Sequence, residues 1–187
     1  MKNIITEFDL KPLDDPKFIE TYLATYRQNG LKRDWDIVKS YDSVAILIYN
    51  TDRDSFILVK QFRAAVYANN ADGMTIELCA GIIDKDLTLE EIAQEEIAEE
   101  CGYQVPLESI ERITEFYTSV GFAGSKQTLY YAKVDDSMKI SDGGGIDGEV
   151  IEVIELPISE AKNFIYDESI AKTPGLMFAF MWFFDRG

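Results

Sequence analysis

From residue 43 onward the chain breaks into short apolar runs separated by polar interruptions. SVAILIY at 43–49 and FILVKQF at 56–62 are β runs, and the turn composition NTDRD at 50–54 joins them into a predicted hairpin. A polar loop covers 68–73, and 75–79 predicts a short strand that ends at Ala80-Gly81. The period then changes. Leu89, Ile92, Ala93 and Ile97 recur at helical spacing and predict a helix from Leu89 to Cys101. Thr88 and Glu91 have capping-box spacing ahead of it, and Gly102 sits where helices commonly stop. Strands at 113–118 and 128–134 flank a glycine-containing turn at 121–125. A loop over 135–148 holds three consecutive glycines, and a strand at 150–156 follows it. Pro157 and Ser159 open a helix to Tyr166, and Pro174-Gly175 precedes a very apolar last helix at 176–184. The segment 15–30 reads as a strand arm with turns. Strands mixed with a few helices, without strict β-α alternation, predict an α+β or α/β sandwich.

Composition narrows the function more than the fold. At 187 residues and 47% apolar content the chain can build one core, or a core plus a small appendage. Its 34 acidic against 18 basic residues leave a net charge of −16, which repels polyanions and argues against a nucleic-acid partner. A small phosphorylated substrate held by a few local cations remains compatible with it. Cys79 and Cys101 are too few for a disulfide framework, so a reduced, cytoplasmic setting is expected. Glu7 and Asp9 interrupt the N-terminus before any signal-length apolar run. The run at 176–184 is far short of the ~20 residues a bilayer span needs, so no membrane partner is expected. The chain has no histidine, which removes Ser-His-Asp and Cys-His triads, histidine general bases and most zinc enzymes. Chemistry here must rest on carboxylates, on metals bound through oxygen, or on cations.

The acidic helix carries that chemistry. It holds Glu90, Glu91, Glu95, Glu96, Glu99 and Glu100. Most charge runs are solvated faces. Here, at about 100° per residue, Glu96 and Glu100 fall in the middle of the apolar stripe and Glu99 at its edge, while Glu91 and Glu95 fall on the other side. Carboxylates inside a buried stripe are costly unless something compensates them. A hard divalent cation such as Mg2+ or Mn2+ does so through oxygen ligands; protonated carboxyls or a nearby Lys or Arg are the alternatives. A calcium loop starting at Asp84-x-Asp86 is rejected, because its sixth position is Leu89 where the sharp turn needs glycine.

The stretch from Gly81 to Tyr103 resembles the Nudix hydrolase motif, G-x5-E-x7-R-E-U-x-E-E-x-G-U, where U is a bulky aliphatic residue. The spacing is intact and the E-U-x-E-E-x-G core is present as Glu96-Ile-Ala-Glu-Glu-Cys-Gly102. Leu87 replaces the first Glu, Glu95 replaces the Arg, and Tyr103 is aromatic. The resemblance runs from about Trp35 onward and points to the nucleoside diphosphate sugar diphosphatase branch. It implies an α+β fold, an α/β/α sandwich with a mixed central sheet, plus an N-terminal β arm. It also implies a division into an arm at 1–40, acting as a dimerisation element, and a Nudix hydrolase domain at 41–187.

The resemblance further implies roles. Glu96, Glu99, Glu100 and the Ala80 carbonyl would hold Mg2+, or Mn2+. Glu149 matches the carboxylate proposed as base or additional metal ligand, in a segment, 147–157, similar to the family's mobile catalytic loop and following strand. Glu99 and Glu100 join it as catalytic carboxylates. Arg63 matches a phosphate-binding arginine, Glu77 opens the E-x-x-A-G lead-in on the substrate side, and Trp35 matches an aromatic that stacks on the base. Segments 26–30, 62–67 and 172–175 look closest to the UDP-sugar subgroup. The implied activity is Mg2+-dependent hydrolysis of a UDP-glucose-like substrate by a homodimer. ADP-ribose or GDP-mannose hydrolysis, or a catalytically inactive nucleotide-binding domain, are the rival readings.

Overall fold

A computed structural model describes residues 5–11, 13–70, 72–146 and 148–186. Met1–Ile4 and Pro12 of the arm, Ala71 of the polar loop, Asp147 at the head of the proposed catalytic loop, and Gly187 lie outside the described residues. The strands are β1 (Glu20–Gln28), β2 (Leu31–Lys39), β3 (Ser43–Asn50), β4 (Ser55–Phe62), β5 (Met74–Glu77), β6 (Cys79–Ile82), β7 (Glu111–Tyr117), β8 (Lys126–Val134) and β9 (Ile151–Pro157). The helices are α1 (Ala64–Asn69), α2 (Leu89–Cys101), α3 (Ile158–Tyr166) and α4 (Pro174–Asp185).

β1 and β2 form a two-stranded sheet of their own, so the strand arm expected at 15–30 holds the first strand and the turn of a hairpin. Its two-residue turn is Asn29-Gly30, with φ of 52° and 80°. Both positions of such a turn need positive φ, and asparagine and glycine adopt it at least cost.

The other seven strands make one mixed sheet in the order β5-β4-β3-β8-β7, with β6 on β3 and β9 on β4. β3 and β8 run parallel along their length; the remaining pairs are antiparallel. Strand periodicity sorts the core into two layers. Val44, Ile46, Ile48, Ile57, Val59, Tyr130 and Ala132 pack with Ile92, Ala93 and Ile97 of α2. Ala45, Leu47, Phe56, Leu58, Leu129 and Tyr131 pack on the opposite face with Ala161, Phe164, Leu176 and Phe180 of α3 and α4. The result is the α/β/α sandwich. α4, all but uniformly apolar, belongs to this second layer.

Besides β2, which the sequence pattern did not predict, two details differ from the predicted elements. The single strand at 75–79 is two strands, because β3 and β4 pair only at 48–50 and 55–57 and then splay. Into the gap comes 74–82, pairing with β4 as β5 and then, after Leu78, with β3 as β6. The short helix α1 was not anticipated; at six residues, with no side-chain cap and no buried residue, it leaves little periodic signal.

Candidate active site

The splay between β3 and β4 sets α2 beside the backbone of β6. α2 begins where expected: the Glu91 N–H donates to Thr88 Oγ1 (3.2 Å), and the Thr88 N–H donates to Glu91 Oε2 (2.8 Å). It ends at Gly102, whose left-handed φ of 76° lets its N–H reach back to the Ala98 carbonyl. Between these ends the acidic residues do enter the packed face. Glu100 is 5% exposed, and Glu96 is half-buried.

Both carboxylates rest on β6. Glu100 Oε2 accepts the Ala80 N–H at 2.9 Å. Extended residues point N–H and C=O to the same side, so the Ala80 carbonyl also turns away from β3, toward the opening. Glu96 lies over Gly81, where a Cβ would stand 2.1 Å from Glu96 Oε1; only a glycine leaves room for it. Burial, reinforced by the charges of Glu100 and Glu99, pushes Glu96 up to about 7. Burial likewise pushes Glu100 up to about 7, despite the Ala80 N–H and the Cys79 thiol that stabilise its charged form.

The triple-glycine loop closes on the far end of the same helix. Gly144 N–H donates to the Glu100 carbonyl (2.9 Å) and Gly145 N–H to the Glu99 carbonyl (3.1 Å), satisfying helix-end acceptors that would otherwise be orphaned. Gly143 has a φ of +68°, and a Cβ there would come 2.2 Å from the Glu100 carbonyl oxygen. Docked in this way, the loop delivers Glu149, whose charge reaches both Glu96 and Glu100. Its exposed side chain accepts from the Ile146 N–H at 3.3 Å.

Arg63 and Glu77 meet as a pair. Arg63 Nε and Nη2 donate to the two Glu77 carboxylate oxygens, each at 2.8 Å, and Thr75 Oγ1 donates to Glu77 Oε1 at 2.5 Å. Burial alone would push Glu77 up, but these donors hold it below its ordinary value. The same pairing raises Arg63, whose charge also faces Glu100 and Glu149. Trp35 lies elsewhere in the chain, 56% exposed on β2, donating its indole N–H to the Gly121 carbonyl at 2.6 Å. Of the residues singled out in the sequence, then, Ala80, Glu96, Glu99, Glu100, Glu149, Arg63 and Glu77 gather at the α2–β6 opening, and Trp35 sits on the separate hairpin. Two contacts escaped sequence reasoning: Thr75 on Glu77, and Lys85 paired with Glu95 at 2.6 Å. Thr75 could have been found, since residues two apart on a strand share a face.

The donor set fits a hard divalent cation. Two neighbouring carboxylates with raised affinity for protons, a backbone carbonyl beside them and further acids at the rim are what such a cation prefers. Among the described residues no three acidic side chains converge tightly around one point.

A three-layer sandwich with a carboxylate-bearing helix at the split of its mixed sheet defines a class, and comparison with known proteins names it. The NUDIX domain model matches residues 39–173. The chain is 42% identical to the uridine diphosphate glucose pyrophosphatase NUDT14 of Bos taurus, over 85% of each chain. It is 37% identical to NUDT14 of Mus musculus, over 90% of this chain and 89% of the relative. A GDP-mannose pyrophosphatase of Cronobacter sakazakii is 40% identical over 70% of this chain and 71% of its own. The chain belongs to the Nudix hydrolase family, in its nucleotide-sugar diphosphatase branch.

Proposed function

We propose that this Nudix hydrolase cleaves the diphosphate bond of a nucleoside diphosphate sugar, with UDP-glucose the preferred kind, to a nucleoside monophosphate and a sugar 1-phosphate. The observation that carries the reading is the pair Glu96, half-buried, and Glu100, buried, on an apolar helix face, both pushed up to about 7. A scaffold with no cation to bind gains nothing from that cost. The NUDT14 relatives, covering most of the chain, favour the uridine substrate.

In this reading Glu96, Glu99, Glu100 and the Ala80 carbonyl hold Mg2+, with Mn2+ as substitute. When bound, the cation supplies positive charge to the diphosphate and acidifies a water. Arg63 binds a phosphate oxygen through the guanidinium edge not engaged by Glu77. Glu149, on the glycine loop, takes the proton from water as its oxygen bonds to phosphorus and the bridging P–O bond breaks.

The arm at 1–40 serves as a dimerisation element and 41–187 as the hydrolase domain. Tyr22, Leu23, Tyr26, Leu31 and Trp35 are exposed on a two-stranded hairpin, a structure of marginal stability alone. A second copy covering this hairpin would bury them and bring Trp35 to a base. The chain works as a homodimer in the cytoplasm, where Cys79 and Cys101 stay reduced, with no nucleic-acid or membrane partner. No helix among the described residues is long and apolar enough to cross a membrane.

GDP-mannose is the second reading, favoured by the Cronobacter relative. Turnover of UDP-glucose, GDP-mannose and ADP-ribose with Mg2+ separates the three. The proposal expects UDP-glucose to give the highest kcat/KM and chelation to abolish turnover. Binding without turnover of any of them would make the chain a nucleotide-binding domain instead. Light scattering at micromolar concentration reads the dimer, and a monomeric mass refutes it.

A further inference from the structure

We infer that Thr75 is a positioning residue for Arg63, fixing through Glu77 the guanidinium that meets the diphosphate. The inference rests on the reading that Arg63 binds phosphate. Thr75 and Glu77 project to one face of β5, while Ile76 between them packs against the opposite core layer. Thr75 is 5% exposed, and its hydroxyl has one proton to give. The Gln61 carbonyl at 3.4 Å is a poor acceptor next to Glu77 Oε1 at 2.5 Å, so the proton goes to Glu77.

The consequence is a chain of constraints. The Arg63 backbone is set by its N–H on the Gly73 carbonyl at 2.8 Å, which leaves only its long side chain undetermined. The Glu77 carboxylate determines it, accepting Nε and Nη2 as a fork. A fork fixes a guanidinium only as well as the carboxylate is itself fixed. Glu77 Oε1 takes Arg63 Nε and the Thr75 hydroxyl together, so the hydroxyl stops the carboxylate plane from turning. Nη1 is the edge that the pair does not use, and the Arg63 side chain as a whole is 45% exposed. Thr75 itself touches no substrate; it acts only through Arg63.

The test is steady-state kinetics with UDP-glucose on the full chain, with thermal stability measured beside it. Thr75→Val keeps the shape and removes the donor; it is expected to raise KM about tenfold while kcat stays within about twofold. Thr75→Ser restores the donor and is expected to restore KM. Arg63→Gln raises KM by more, and adding Thr75→Val to it changes nothing further, since the two act in series. If Thr75→Val does not fold, Thr75→Ala is read in the same way. A KM within twofold of wild type in the donor-less variant, failure of serine to restore it, or a full Thr75→Val effect on the Arg63→Gln background overturns the inference. An unchanged KM in Arg63→Gln strikes the phosphate-binding reading, and the Thr75 role falls with it. If the wild type does not turn over UDP-glucose, the same variants are compared by calorimetric Kd for UDP with the same expected ratios.

Discussion

Replacing Glu100 by glutamine removes a charge that the fold buries and keeps an oxygen that can accept the Ala80 N–H. The side chain titrates near 7 in the folded protein against 4.5 in an ordinary setting. The folded state therefore holds this proton more tightly than the unfolded chain does. The contribution to stability is complete below pH 4.5 and is lost as the pH rises through 7. By linkage, ionising Glu100 costs the fold about 3 kcal/mol, reduced to about 2 once coupling to Glu96 and Glu149 and partial hydration are allowed for. In a chain of this size that corresponds to a melting shift of roughly 4–8 °C.

Differential scanning calorimetry in a chelator, at pH 8 and again at pH 5, reads this directly. Glu100→Gln is expected to melt above wild type at pH 8 and close to it at pH 5, while turnover of UDP-glucose falls by about a thousandfold or more. Added Mg2+ should raise the melting temperature of wild type and leave that of the variant nearly unmoved. The comparison between two proteins at one pH cancels the acid sensitivity of the other carboxylates. If the variant is no more stable than wild type at pH 8, Glu100 is not a charge held at the fold's expense. The reasoning from burial to a cation site then fails.

Gly81→Ala is expected to leave the fold nearly as stable, because the new Cβ meets only the flexible end of Glu96, but to displace that carboxylate. A Mg2+ titration of kcat/KM should show a loss of about tenfold or more and a higher half-saturating concentration. Gly143→Ala faces backbone at 2.2 Å from a φ of +68°, so urea denaturation should show about 2–4 kcal/mol lost, with activity falling as the Glu149 loop undocks. A variant as stable as wild type would contradict the docking of that loop on α2.

The core was legible because both periods in it are clean. β3, β4 and β8 send alternate residues to two layers, and α2 keeps its cap, its stripe and its terminating glycine. The acidic residues were legible for the opposite reason: Glu96 and Glu100 break the stripe they sit in, and a broken local rule marks a functional place. What escaped depends on contacts between segments distant in the chain. Nothing in 75–82 announces that β3 and β4 splay and that one apolar run must serve both. The three glycines read as a loop, yet their use is to bring N–H groups onto the last carbonyls of α2. The hairpin at 20–39 was readable in principle, since Asn29-Gly30 between two apolar-polar stretches is a strong turn signal.

The departures from the family motif take on a different weight once placed in three dimensions. Glu95 stands where an arginine is usual, but it faces out from the apolar stripe and pairs with Lys85, both side chains about 40% exposed. An exposed pair of this kind contributes little to stability, about 0–1 kcal/mol. Its charge has a nearer use: the Lys85 ammonium lies close enough to lower Glu96, partly offsetting the neighbouring acids that raise it. Leu87 in the loop before the helix is 38% exposed and takes no part in holding Glu96 or Glu100, which rest on β6 through Gly81 and Ala80. Both substitutions change the rim. Glu96 and Glu100, the carbonyl beside them and the glycine loop that carries Glu149 are held by contacts that involve neither departure, and that arrangement favours an enzyme over an inert relative.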